Sequence, residues 1–229
     1  MNFVFPPAPT PSLAITNSDQ RFPVRRIICV GRNYEAHARE MGKDPTREAP
    51  FFFMKPADTI IETGFVLEYP PNTSDLHHEI ELVVAIGSPC FQIESHAAHS
   101  HVYGYAVGID LTKRDVQNEL KKKSQPWDWS KGFDHSAPCG SIHPVSQLGH
   151  IAKGRIYISV NGVVKQNQDV ADMIWSVPEI IAYASQDMQL MAGDLIFTGT
   201  PAGVGSLQRG DVIEGGVEGL EVLTLSISQ

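Results

Sequence analysis

Two apolar stretches of this chain carry acid where a buried sheet has least room for it. The segments His78-Glu79-Ile80-Glu81-Leu82-Val83-Val84-Ala85-Ile86 and Val102-Tyr103-Gly104-Tyr105-Ala106-Val107-Gly108-Ile109-Asp110 both read as strands. Side chains alternate along a strand, so Glu79 and Glu81 point to one face while Ile80 and Leu82 point to the other. Unpaired carboxylates in such surroundings lose hydration and repel one another. A cation relieves both costs, and an all-oxygen donor set suits a hard divalent ion such as Mg2+ or Mn2+.

A length of 229 residues suits one domain with a substantial core, and 42% hydrophobic with 19% charged residues describes a globular chain. The formal net charge of -8 argues against a nucleic-acid partner, because phosphate backbones are held mainly by Lys and Arg. The basic run Lys121 to Lys123 reads as a solvated face or the edge of a mobile loop in preference to a role in holding an anionic substrate. Three scattered cysteines, Cys29, Cys90 and Cys139, form no Cys-x-x-Cys pair and point to the cytoplasm. The first five residues are too short for a signal core, and no stretch reaches the roughly 18 apolar residues of a membrane span.

The proline-rich residues 1–24 read as an extended arm, and residues 25–229 as the catalytic domain. A strand at Arg25 to Gly31 leads to a helix over Tyr34 to Met41, with Asn33 as its cap and Gly42 as its stop. Further strands are expected near 65–69, 80–87 and 102–110. A helix is expected from a Thr112 cap to Leu120, then a loop from Lys121 to Pro138. The Asn161-Gly162 pair marks a hairpin, and Ser176-Val177-Pro178-Glu179 is a capping box opening a helix. Strands follow Gly193-Asp194 and Gly210-Asp211. The fold class expected is α+β and largely β.

His37 and Glu40 lie three residues apart on one helix face, so the carboxylate can orient an imidazole acting as a general base. An ordinary surface pair has the same spacing. Arg114 and Gln117 share that spacing and can grip a substrate carboxylate. Gly199 to Gly205 reads as a turn with positive φ, in which Thr200 offers a hydroxyl or a backbone N–H. Lys55 is either structural or pocket-lining. His96, His99 and His101 lack carboxylate or cysteine company and read as a polar connection.

The block Cys29-Val30-Gly31-Arg32-Asn33-Tyr34-Glu35-Ala36-His37-Ala38-Arg39-Glu40-Met41-Gly42 resembles the fumarylacetoacetate hydrolase family, especially its short acylpyruvate-hydrolase members. Phe53-Met54-Lys55-Pro56, Glu79-Ile80-Glu81-Leu82, Gly108 to Gln117, Ser130 to Asp134 and Thr198 to Gly205 extend the likeness in order. The resemblance implies a mixed β-sandwich roll, a homodimer, and a hydrolase that splits a C–C bond of a 1,3-diketo acid in aromatic-acid breakdown. It implies Mg2+ or Mn2+ on Glu79, Glu81 and Asp110, water activated by His37 and Glu40, and Lys131 against developing negative charge. Fumarylpyruvate or maleylpyruvate is the expected substrate, with Arg32 or Lys55 at its far carboxylate. Oxaloacetate decarboxylation or keto–enol tautomerisation could use the same site. A further carboxylate ligand of longer relatives has no counterpart here, which leaves water, His77 or His78 to complete the shell.

Overall fold

The computed structural model describes residues 2–40 and 48–229, with the side chains of residues 38–40 outside the described set. Two sheets face each other across the main core. The larger has six strands in the order His143–Pro144, Val102–Ile109, Ile80–Ile86, Asp194–Phe197, Arg26–Gly31, Phe51–Lys55. The smaller has five, in the order Val163–Asp169, Arg155–Val160, Val212–Val217, Leu223–Ile227, Phe65–Leu67.

Every residue of Ile80–Ile86 is buried, because this central strand is covered on both faces. Leu82 and Val84 pack with Ile156, Ile158, Ile213 and Leu225 of the smaller sheet. Val83 and Ala85 face the opposite way, onto Leu13, Phe22, Leu195 and Phe197. Each buried Leu, Ile or Phe contributes about 1.5–3 kcal/mol relative to exposure, so this double burial fixes the strand's register. Gly108 on the neighbouring strand is a close-approach position, since a Cβ there would lie 2.5 Å from Val83 and 2.6 Å from Phe197.

The second apolar layer engages the stretch expected to be an extended arm. Residues 2–10 are exposed, but Ser12–Ala14 pairs antiparallel with Arg21–Pro23, and Leu13, Ile15, Phe22 and Val24 are buried against the larger sheet. An apolar residue at every second position makes this hairpin a lid on the core.

The Asn-Gly hairpin, the capped helix Val177–Asp187 and the strands after Gly193 and Gly210 form as expected. Arg26–Gly31 and Asp194–Phe197 pair parallel although far apart in sequence. Two caps differ from expectation. Thr112 belongs to the short strand Thr112–Lys113, and the helix Arg114–Lys122 begins after it without a side-chain cap. Asn33 precedes the helix Glu35–Glu40 but donates to the carbonyls of Trp175 (2.9 Å) and Thr198 (2.8 Å) and accepts from Trp175 N–H (2.7 Å). Those long-range bonds satisfy its amide better than a helix end would. Gly42, the expected helix stop, lies outside the described residues. The expected loop 121–138 contains one helical turn, Asp128–Lys131.

Candidate active site

The ends of two neighbouring strands bring the acids together. Ile80 pairs with Ile109, and Asp110 N–H donates to the Glu79 carbonyl at 2.8 Å, so Glu79, Glu81 and Asp110 meet at one sheet edge. Their carboxylate oxygens lie within 4.8 Å of one another, and all three residues are buried. Among the described residues no other group of this kind forms.

The three acids are unequally matched. Burial raises the Glu79 carboxyl, but the Lys131 ammonium and the Arg114 guanidinium outweigh it and hold it well below the usual range, with help from His37. Glu81 goes the other way. Burial, then the charges of Asp110 and Glu79, push it well above the usual range against a 2.7 Å hydrogen bond from Gly199 N–H and the charge of Lys131. Asp110 Oδ1 lies 2.8 Å from Lys55 Nζ yet has no donor of hydrogen-bonding geometry among the described residues. Glu79 and Asp110 have cationic partners, whereas Glu81 forms no ion pair among the described residues and resists ionising, so one carboxyl of the set still lacks positive charge. The set therefore fits a divalent cation.

Lys131 donates to Glu79 Oε2 (2.8 Å), Thr112 Oγ1 (2.7 Å) and Asp110 Oδ2. Burial lowers its pKa, but Asp110 and Glu79 more than compensate and raise it above the ordinary lysine value. The turn that carries it is pinned from behind, where Ser136 Oγ and Lys55 Nζ both donate to the Lys131 carbonyl. Lys55 also donates to the Leu111 carbonyl at 3.1 Å. Expected as a substrate cation, Lys55 is instead a buried strut that does not line the pocket.

A pocket opens over the acids. His37, Arg32, Arg114, Gln117, Lys131 and Thr200 all line it, so the sequence-derived catalytic, substrate and metal candidates other than Lys55 and Glu40 share one pocket. Glu40 belongs to the helix, but its side chain lies outside the described residues. His37 is buried. Its helix is held at the pocket by the Asn33 bonds, and Gly199, at φ +96, lets the returning chain pass where a Cβ would sit 2.7 Å from Asn33.

Arg114 and Gln117 are together as their spacing predicts, the guanidinium donating to Gln117 Oε1 at 2.6 Å and to Glu79 Oε1. Arg114 Nε also donates to His77 Nδ1 at 3.3 Å, while His77 Nε2 faces Asp75 at 3.0 Å. His78 Nδ1 faces Gln166 Oε1 at 3.0 Å. Both histidines are thus engaged away from the acids, which corrects the expectation that either completes the metal shell; burial lowers both pKa values.

Sequence reasoning passed over three residues. Gln166 is a buried amide that accepts from Ile80 N–H (3.1 Å) and donates to Thr200 Oγ1 (2.8 Å) and the Pro201 carbonyl (2.7 Å). It fixes Thr200 relative to the acid strand, and nothing in its local sequence signals this. Trp127 lines the pocket from the expected loop. Lys121 lines it too, although its basic run reads as solvated. The overlooked signal is that Arg114, Gln117 and Lys121 fall at i, i+3 and i+7 of one helix.

The family model for the fumarylacetoacetate (FAA) hydrolase C-terminal region matches residues 26–228. The chain belongs to this family. Within it, a crystal structure of fumarylpyruvate hydrolase from Pseudomonas aeruginosa in complex with Mn2+ and pyruvate superposes with a TM-score of 0.97 at 48% identity, covering 99% of both chains. Fumarylpyruvate hydrolase of a Ralstonia species is 43% identical over 184 residues, 80% of this chain and 95% of that one. The human mitochondrial oxaloacetate tautomerase FAHD1 is 40% identical over 205 residues, 90% of this chain and 92% of that one. The mixed two-sheet architecture is therefore that of the fumarylacetoacetate hydrolase fold.

Proposed function

We propose that this chain is a metal-dependent acylpyruvate hydrolase that converts fumarylpyruvate and water into fumarate and pyruvate. One observation carries the reading: three buried carboxylates with oxygens within 4.8 Å of one another open onto a pocket that also holds His37 and Lys131. The Mn2+ and pyruvate of the Pseudomonas aeruginosa relative support it. The catalytic unit is residues 25–229.

Glu79, Glu81 and Asp110 would hold Mg2+ or Mn2+, which supplies Lewis-acid stabilisation of negative charge at the 2-oxo acid end. His37 takes a proton from the attacking water, and Glu40 orients its imidazole. The water oxygen bonds to the acyl carbonyl carbon, the bond from that carbon to the central CH2 breaks, and its electron pair leaves with the pyruvate half, which is then protonated. Lys131, fixed by Glu79, Asp110 and Thr112, adds positive charge beside the departing half. Gln117 and Thr200 orient the substrate carboxylate, with Arg114 holding Gln117 and Glu79 in place. Arg32 faces the acyl arm.

A second reading, oxaloacetate tautomerisation or decarboxylation, is favoured by the human tautomerase and by a Dictyostelium discoideum oxaloacetate decarboxylase, 41% identical over 198 residues. It needs the metal and Lys131 but no water-activating base. Among the described residues no helix is long and apolar enough to cross a membrane, and all three cysteines are free and buried. Both facts support a cytoplasmic enzyme, and the family supports a homodimer. The decisive assay is pyruvate release from fumarylpyruvate by chelator-treated protein with and without Mn2+. The reading expects turnover only with the ion; full turnover without it refutes the reading.

A further inference from the structure

Three cations near the acids are already matched, Lys131 to Glu79 and Asp110, Arg114 to Glu79, and Lys55 to Asp110. Two more line the same pocket, Arg32 and Lys121, and neither forms an ion pair among the described residues. A half-buried ammonium and a guanidinium close enough to feel each other's charge repel.

Their placement is nevertheless specified. Arg32 sits at φ 60°, an unusual conformation for a residue with a long side chain, which turns it into the pocket mouth. Its guanidinium lies 5.8 Å from the Phe51 ring centroid, and Lys121 Nζ lies 4.9 Å from that of Trp127. Phe51 and Trp127 pack edge to face with centroids 5.0 Å apart. An aromatic face steadies a cation without consuming its N–H groups, so the donors of both residues stay available for a ligand. Phe53 continues the aromatic row, 5.9 Å from Trp127 and 5.0 Å from Lys131 Nζ, and so links the two cations to the acid triad. A flat unsaturated chain matches that floor.

Resting on the acylpyruvate reading, we propose that Lys121 and Arg32 form an anion subsite for a carboxylate at the far end of the acyl arm. The site then selects acylpyruvates that end in a second carboxylate over those that end in an alkyl group. Burial, and then the charge of Arg114, bring the Lys121 ammonium down to about 8, so a neighbouring anion also restores its full charge near neutrality.

The test is a ratio of affinities. Isothermal titration of the Mn2+-loaded protein with 2-oxoheptanedioate and with 2-oxoheptanoate compares two seven-carbon 2-oxo acids that differ only at the far end and contain no 1,3-diketone to cleave. The wild type is expected to prefer the dianion about ten- to a hundred-fold, the range of a charge-assisted hydrogen bond. Lys121→Gln and Arg32→Gln are each expected to bring the ratio near one. A variant that folds poorly weakens both ligands together and leaves the ratio intact. A wild type without preference, or a preference that survives either substitution, overturns the subsite. Failure to cleave fumarylpyruvate with the preference present refutes the hydrolase reading and leaves the subsite supported.

Discussion

Replacing Glu81 by Gln in the metal-free protein separates the cost of the acid cluster from the rest of the fold. Glu81 has a raised pKa when folded, because of burial and the charges of Asp110 and Glu79, and an ordinary one near 4.3 when unfolded. Between those values the folded protein holds one proton more than the unfolded chain, so stability falls as pH rises, by about 1.4 kcal/mol per pH unit. Glu79 is shifted down and contributes only below its ordinary value. His77 and His78 are also shifted down, so their contribution rises with pH and levels off near 6.5. Lys131 is shifted up and acts only in alkali. Comparing wild type with Glu81→Gln cancels these other groups. Gln keeps an acceptor for Gly199 N–H and carries no charge. The variant should gain on the wild type as pH rises above about 4.3, at about 3–6 °C in Tm per pH unit for a domain of this size. The check is thermal unfolding across pH in chelator. With Mn2+ at a thousand times its Kd the wild type should recover about 4 kcal/mol and the variant little. Parallel curves for the two proteins, or equal gains with Mn2+, refute the account of Glu81 as the carboxyl awaiting a cation.

Two further outcomes test other parts of the site. His37→Ala should reduce fumarylpyruvate cleavage by about 10²–10⁴-fold while leaving oxaloacetate decarboxylation measurable, read by parallel pyruvate-release assays; near-wild-type cleavage removes His37 as the base. Gln166→Leu leaves Ile80 N–H and the Pro201 carbonyl buried without their side-chain partner, at about 1–3 kcal/mol for each group, and frees Thr200 to turn. Urea unfolding should show about 2–6 kcal/mol lost, and a wild-type midpoint with unchanged KM shows that the amide anchors nothing.

Much of the fold follows from local rules. The Asn161-Gly162 turn, the Ser176 capping box and the apolar strands were legible because each signal lies within a few residues and needs no distant partner. The caps at Asn33 and Thr112 were misread because both residues can bond nearby backbone, and tertiary structure offered other partners, the Trp175 and Thr198 carbonyls for one and the Lys131 ammonium for the other. The acid cluster was legible because carboxylates in an apolar strand demand a reason.

Sequence alone could not say how the cations divide. Lys55, Arg114, Lys121 and Lys131 carry the same charge, and the sequence reads Lys55 as structural or pocket-lining, Arg114 and Lys131 as site residues and Lys121 as part of a solvated run. Chain chemistry determined that buried acid had to be met by positive charge and which carboxylates those were. Only packing decided that Lys55 would divide itself between Asp110 and two backbone carbonyls behind the site, that Arg114 and Lys131 would go to the acids, and that Lys121 would be left facing the cavity. That allocation depends on distances between segments far apart along the chain, and no local pattern encodes them.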